Sequence, residues 1–222
     1  MKRDHGILIN HKRCYRLCRL AGVLLPKYRK KLFQSKLKCA RRIISEPNQL
    51  WQFDLKYCYI HGENRFCYVC IYIDVFTRKV TGFYIGLTCK ASDMVTTLKQ
   101  ALLEQQVTCE HSLFIRSDNG PQMSSRNFQA GLENLPVQHE FIPCRSPNDN
   151  AYVESFNSQL EVGCLSTQRF ESYGTCYEAV VSYIEFYNKR RIHGVLGMSP
   201  EEFENQLKGN NNCRDTSFNI SA

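Results

Sequence analysis

The sequence predicts an α/β domain built on a mixed β-sheet flanked by helices, preceded by a basic helical segment. Three observations predict it. Segments with strand-like alternation or continuous apolar character are interleaved with segments of helical spacing, in the order β-β-β-α-β-α-β-α-α. The 222 residues, 43% apolar and 23% charged, suffice for one globular domain with its own core plus additional sequence. Charge is also segregated: residues 1–45 hold fourteen Lys/Arg and a single acid, Asp4, while the remainder holds fifteen basic and twenty acidic side chains. A basic arm on a mildly acidic body implies a polyanion partner for the arm, most often nucleic acid.

In the arm, "NHKRCYRLCRLAG" reads as an amphipathic helix. At 100° per residue Lys12, Arg13, Arg16 and Arg19 fall within about 120° of one another, with Cys14, Leu17, Cys18 and Ala21 opposite. Asn10 is the expected cap, Gly22 the expected end, and Pro26 blocks continuation. The basic face is suited to phosphates. "PKYRKKLFQSKLKCARR" then reads as a linker able to track a nucleic-acid backbone.

The body begins near Leu50. "LWQFDLKY" alternates, placing Trp51, Phe53 and Leu55 on one face and Gln52, Asp54 and Lys56 on the other. "RFCYVCIYIDVF", a "TRK" turn and "VTGFYIGL" continue one antiparallel sheet. "SDMVTTLKQALLEQ" is a helix behind a Ser92 cap, and "SLFIRSDNG" is a short strand closing on Asp118 and an Asn-Gly turn. A helix at "SRNFQAGLEN", a strand at "HEFIP", a helix opened by "SPNDNAYVESFNSQLE" and a long helix through "YEAVVSYIEFYNKR" follow. Tyr183, Phe186 and Tyr187 are assigned to packing. The domain boundaries read as 1–45 for the basic segment and linker, 46–207 for the core, and 208–222 for a polar, disordered tail.

Several classes are excluded. No stretch reaches the ~18 apolar residues of a membrane span, and the basic N-terminus lacks a secretory apolar run, so a cytoplasmic location is expected. Twelve scattered cysteines do not form a short secreted disulfide framework. Cys67 and Cys70 form a C-x-x-C inside an apolar run and read as parts of a buried strand.

The chemistry rests on three carboxylates. Asp54 lies within a strand, where Asp is depleted and costly unless paired or bound to a cation. Asp118 ends a second strand, and Glu154 lies one turn inside a later helix. Three acids converging from three elements make an oxygen-rich cage suited to Mg²⁺ or Mn²⁺, and two such ions activate a hydroxyl and stabilise the leaving oxygen at a phosphodiester.

These residues resemble a known family. With 35 residues between Asp118 and Glu154, "SDNGPQMSS" and "PNDNAYVESFNSQL" are similar to the second and third signatures of the DDE transposases of bacterial insertion sequences, relatives of retroviral integrases. "FYNKRRIHGVLGMSPEEF" resembles their C-terminal signature through Tyr187, Asn188, Arg191, His193, Leu196 and Pro200. "KRCYRLCRLAGVL" resembles the helix that precedes their catalytic core. The likeness spans about residues 7–207 and supplies four ordered motifs. It implies a ribonuclease-H-like core in which Asp54, Asp118 and Glu154 are catalytic and bind Mg²⁺, with Mn²⁺ as substitute. It further implies cutting and joining of DNA at transposon ends, homo-oligomer assembly on end and target DNA, and a place on the bacterial nucleoid. Lys12, Arg13, Arg16 and Arg19, with Asn157, Arg191 and His193, are the expected DNA contacts; Arg191 and His193 follow a helix end, where the helix dipole favours cations in any case.

Two departures stand out. Relatives usually begin further upstream, so Met1 is expected to lie inside the helical DNA-recognition region, with a helix-turn-helix module missing or separately encoded. Glu161 stands where the family usually carries Lys or Arg; its expected effect is to weaken DNA engagement, unless it pairs with a basic residue such as Arg169. The alternative to a transposase is a shortened, inactive DNA-binding remnant or regulator of transposition, and a ribonuclease-H-type hydrolase is a third reading.

Overall fold

The computed structural model describes residues 9–24, 42–108, 112–142 and 147–215. The linker reading for residues 26–42 lies almost wholly outside the described residues, as does the tail beyond 215.

Helix α1 (His11–Leu20) belongs to a unit of its own, residues 1–34. The Asn10 side chain accepts from the Lys12 N–H at 2.9 Å, and Gly22 adopts φ 68° just past the helix, as its terminators require. None of its residues is buried; Lys12, Arg13, Arg16 and Arg19 are all exposed.

The second unit holds a five-stranded sheet with strand order β3-β2-β1-β4-β5. β1 (Leu50–Ile60), β2 (Arg65–Asp74) and β3 (Val80–Gly86) form an antiparallel meander, and β4 (Leu113–Ser117) and β5 (Val137–Phe141) add in parallel beside β1. Helices α2 (Ala91–Glu104) and α3 (Arg126–Leu132) make the crossovers that parallel strands require. Then come α4 (Ala151–Leu160), a π-helical turn (Glu161–Leu165), α5 (Tyr173–Lys189) and α6 (Pro200–Asp215).

Two apolar layers sandwich the sheet. Trp51, Phe53, Leu55 and Tyr72 meet Met94, Leu98 and Phe128 from α2 and α3 on one face. Ile60, Val69 and Ile71 meet Val153, Phe156, Leu160, Val180 and Ile184 from α4 and α5 on the other. Each such side chain contributes about 1.5–3 kcal/mol on burial. The alternation of β1 is thus fulfilled, and its even positions face α4.

Three local expectations differ from the structure, while Cys67 and Cys70 are parts of a buried strand as expected. α2 starts behind Lys90, whose backbone N–H donates to Asp93 Oδ2 at 2.8 Å, so Asp93 rather than Ser92 secures that end. Phe186 is 45% exposed, while Tyr183 and Tyr187 are buried as expected. Cys67 and Cys70 lie in opposite layers, because an i, i+3 pair points to opposite faces of a strand. Finally, the helix α6 runs to Asp215, well past the boundary read at residue 207. Ser199 and Glu202 cap it reciprocally, and buried Glu204 receives Lys79 at 2.6 Å, so a well-nucleated helix propagates into polar sequence.

Candidate active site

The even face of β1 and the helix α4 keep step. Along the strand, every second residue advances about 6.6 Å; along a helix, every fourth advances about 6 Å. Gln52 Oε1 therefore meets the N–H groups of Tyr152 and Val153 at 2.9 and 3.2 Å, capping α4 where Asn150 provides no side-chain bond. Asp54 Oδ2 accepts from Asn157 Nδ2 at 2.8 Å, and Lys56 Nζ lies 2.8 Å from Glu161 Oε2. Three rungs fix the helix bearing Glu154 against the strand bearing Asp54.

Asp54 also accepts from the Leu55 N–H at 2.8 Å. Burial raises its carboxyl above the ordinary range; its hydrogen bonds oppose this, and the negative charge of Asp118 raises it further. Asp118 directly follows β4 and accepts the Gly120 N–H through Oδ1 at 2.9 Å, an Asx turn. A Cβ on Gly120 would stand 3.0 Å from that same oxygen, so the missing side chain matters here. Asn119 Nδ2 ties the turn to Ile142 O at 2.8 Å, which fulfils the structural role expected of the Asn-Gly pair.

Behind this turn runs a chain of polar contacts. Gln129 Nε2 donates to His139 Nδ1 at 2.9 Å, which puts the ring proton on Nε2, 2.9 Å from Ser117 Oγ. Ser117 Oγ donates to Asp118 O at 2.8 Å. Burial lowers the His139 pKa to about 4, so the imidazole is neutral at pH 7 and acts as a fixed relay of hydrogen bonds.

Glu154 is exposed on the first turn of α4, one helical turn before Asn157. Among the described residues, the only three potential metal ligands with atoms all within 4.8 Å of one another are Cys58, Cys67 and Cys176, so the three acids form a more open set. That set still suits a hydrated hard cation. Its donors are all oxygen, two of its carboxylates repel each other, and Asn157 Oδ1 is buried beside Asp54 without a hydrogen-bond partner in the protein.

The expected DNA contacts divide. Asn157 is 7% exposed and serves Asp54. Arg191 is exposed and His193 half-buried; burial lowers the His193 pKa, and the charges of Arg78 and Arg191 lower it further. Arg78, at the turn between β2 and β3, stacks its guanidinium 3.8 Å from the Tyr152 ring, two residues before Glu154. Arg78 and Arg191 thus form a cationic pair beside the start of α4, with an uncharged His193 next to them. A cavity of about 460 Å³ opens there, lined by Arg42, Phe76, Arg78, Arg116, Tyr152 and Leu196 among others.

Gln52, Lys56, Arg78, Ser117, Gln129 and His139 are the site residues that sequence reasoning missed. Only the strand alternation of Gln52 and Lys56 with Asp54 pointed at any of them. The C-terminal signature acts mainly as scaffold: Asn188 clasps the backbone of Val80 through both its N–H and C=O at 2.9 Å, and the Tyr187 hydroxyl donates to Arg78 O at 3.0 Å.

The mixed five-stranded sheet with helices on both faces matches a ribonuclease-H-like integrase core. Two models of the integrase core domain match the chain, over residues 44–147 and 135–200. A transposase for insertion sequence element IS904 of Lactococcus lactis is 29% identical over 214 residues, covering 90% of this chain and 82% of its own length. Transposase InsF for insertion sequence IS3fB of Escherichia coli is 32% identical over 164 residues, covering 73% of this chain and 56% of its own. The HTLV-2 integrase catalytic core domain, solved in complex with magnesium, superposes with TM-score 0.51 over 71% of this chain and 96% of that one, at 16% identity. The chain belongs to the integrase-core family and is a homologue of the transposases of insertion sequences. It spans little more than half the length of several curated relatives it matches. Among the described residues no helix is long and apolar enough to cross a membrane.

Proposed function

We propose that the chain is a DDE transposase that cuts and joins DNA phosphodiesters at transposon ends, with Asp54, Asp118 and Glu154 as its catalytic carboxylates. The observation that carries this reading is the coupling of Asp54 to both other segments: to α4 through Asn157 and to Asp118 through charge repulsion. These three acids would hold Mg²⁺, or Mn²⁺ in its place, which supplies activation of the attacking hydroxyl and stabilisation of the leaving oxygen. Asn157 keeps the Asp54 carboxylate oriented, and the Asx turn keeps Asp118 at the sheet end. Arg78, Arg191 and His193 receive backbone phosphates next to Glu154, while Lys12, Arg13, Arg16 and Arg19 contribute sequence-independent affinity for end and target DNA. Assembly of several copies on DNA completes the reading.

The experiment is direct. Purified protein is incubated with labelled candidate end DNA and Mg²⁺ or Mn²⁺, and nicked and joined products are resolved. Metal-dependent nicking and joining support the reading. DNA binding with no cleavage under either metal would instead favour the DNA-binding regulator.

A further inference from the structure

Behind Asp54, on the same face of β1, three thiols meet. Cys58 and Cys67 stand directly opposite each other on β1 and β2, and Cys176 descends on them from the first turns of α5. Cys176 Sγ lies 3.4 Å from Cys67 Sγ and 3.4 Å from Cys58 Sγ, and the three sulfurs all lie within 4.8 Å of one another. All are at least 96% buried, in the apolar layer that also contains Cys164 of the π-helical turn. Cys164 lies within electrostatic range of Cys58.

A core position needs only volume, and one cysteine fills volume as a small hydrophobe does. Three sulfurs from three segments, converging at contact distance, constitute a donor set. Thiolates about 2.3 Å from a bound Zn²⁺ stand about 3.8–4.0 Å apart in tetrahedral or trigonal geometry. The two 3.4 Å separations fall just short of that spacing and the third is within 4.8 Å, so an ion needs side-chain adjustments of about half an ångström. Soft sulfur donors select thiophilic closed-shell cations and reject the hard Mg²⁺ that the oxygen set at Asp54 favours.

We propose that Cys58, Cys67 and Cys176 bind a thiophilic d¹⁰ cation, Zn²⁺ or Cu⁺, that ties β1 and β2 to α5. Each metal–thiolate bond replaces an S–H bond whose proton passes to solvent, and no electron is transferred. Two protons leaving per Zn²⁺ leave one sulfur bound as thiol, and one leaving per Cu⁺ leaves two; either site is neutral, which an apolar layer tolerates. Zn²⁺ takes a fourth ligand, which the three sulfurs do not supply; Cu⁺ is satisfied by three. The site is independent of the three acids and of any DNA chemistry they perform. Its effect on the strand is mechanical, because Cys58 lies four residues beyond Asp54.

The test uses the full chain, reduced and metal-free, titrated anaerobically with Zn²⁺, with Cu⁺, and with Cd²⁺ as an absorbing probe. The expected result is one equivalent bound, a thiolate-to-metal charge-transfer band, and a melting temperature raised by several degrees. Bound metal should shield Cys58, Cys67 and Cys176 from alkylation beyond the protection that burial gives, read as the difference between metal-loaded and metal-free wild type, a readout that needs no variant to fold. Cys176→Ser should weaken binding at least tenfold, while Cys70→Ser, on the opposite face, leaves it unchanged. Cys164→Ser weakens Zn²⁺ alone if Cys164 is the fourth ligand. Absence of the band, shielding that falls on Cys14 and Cys18 instead, or a disulfide among the three in protein purified without reductant would each overturn the proposal.

Discussion

Asn157 on α4 donates through Nδ2 to Asp54 Oδ2 on β1 at 2.8 Å, across 103 residues of sequence. This bond lies one helical turn beyond Glu154, and with Gln52 at the helix start it brackets that glutamate. The spatial relation of the two acids is therefore set by neutral amides that take no part in the chemistry. Asn157→Ala is expected to reduce strand transfer about 10- to 100-fold, the usual cost of losing an orienting partner of a metal ligand, with end binding within about twofold of wild type. Strand-transfer rates and gel-shift affinities on the same preparations check it. Unchanged transfer would remove Asn157 from any positioning role.

The third rung, Lys56 to Glu161, bears on the acid that stands where relatives usually carry a cation. Glu161 is held below the ordinary carboxylate range first by its hydrogen bond to Lys56, then by the Ser166 hydroxyl at 2.6 Å. Its contribution to stability is present above the ordinary carboxylate pKa and is lost as pH falls through the depressed folded value. It is worth no more than about 1 kcal/mol, since the pair is part-exposed. Glu161→Gln and Glu161→Lys both release Lys56 toward DNA. End affinity should rise severalfold at low salt, more for Lys than for Gln, with the gain shrinking as salt is added. A fluorescence-anisotropy titration at two salt concentrations measures this, and equal or weaker binding by both variants at low salt contradicts it.

His139 supplies a pH dependence of opposite origin. Its folded pKa, about 4, lies below the ordinary 6.5, so between those values the unfolded chain binds the extra proton. Stability is complete above about pH 6.5 and is lost as pH falls toward 4. The loss is on the order of 1–3 kcal/mol after allowing for partial solvent screening. Urea unfolding at pH 7 and pH 4.5 should show a smaller difference for His139→Gln than for wild type. Equal differences would show that another group carries the acid sensitivity.

The basic face of α1 is expected to act through phosphates. Replacing Lys12, Arg13, Arg16 and Arg19 by Ala removes four contacts and should reduce the slope of log K against log salt by roughly 3 to 4. Circular dichroism on the variant verifies that the helix remains. A slope unchanged by the substitution assigns α1 to packing or dimer contacts.

Much of this arrangement was legible in the sequence, for physical reasons that differ by residue. Alternation put Asp54 on the face opposite Trp51 and Phe53, and the Asn-Gly turn marked where β4 ends, so the antiparallel start of the sheet and the placing of two of the acids followed from local pattern. Alternation names a face but not what lies across it. That is why Gln52 and Lys56 carried no role, and why the basic partner of Glu161 is Lys56, 105 residues upstream, and not a near neighbour such as Arg169. His139 and Gln129 reach Asp118 only through tertiary packing of β5 and α3 against β4. Asn157 presented a polar side chain at a helix position four residues after a buried valine, and the burial that makes it a positioning residue depends on the strand beneath it.

We propose that Asp118 acts in catalysis and not in affinity. Asp118→Asn retains an Oδ1 that accepts the Gly120 N–H, so the Asx turn survives while the charge is lost. Strand transfer of labelled end DNA in Mn²⁺ is the measurement, with end binding followed in parallel. Transfer should fall to background with binding nearly intact. Transfer retained at more than a small fraction of wild type, or binding lost together with transfer, would contradict it.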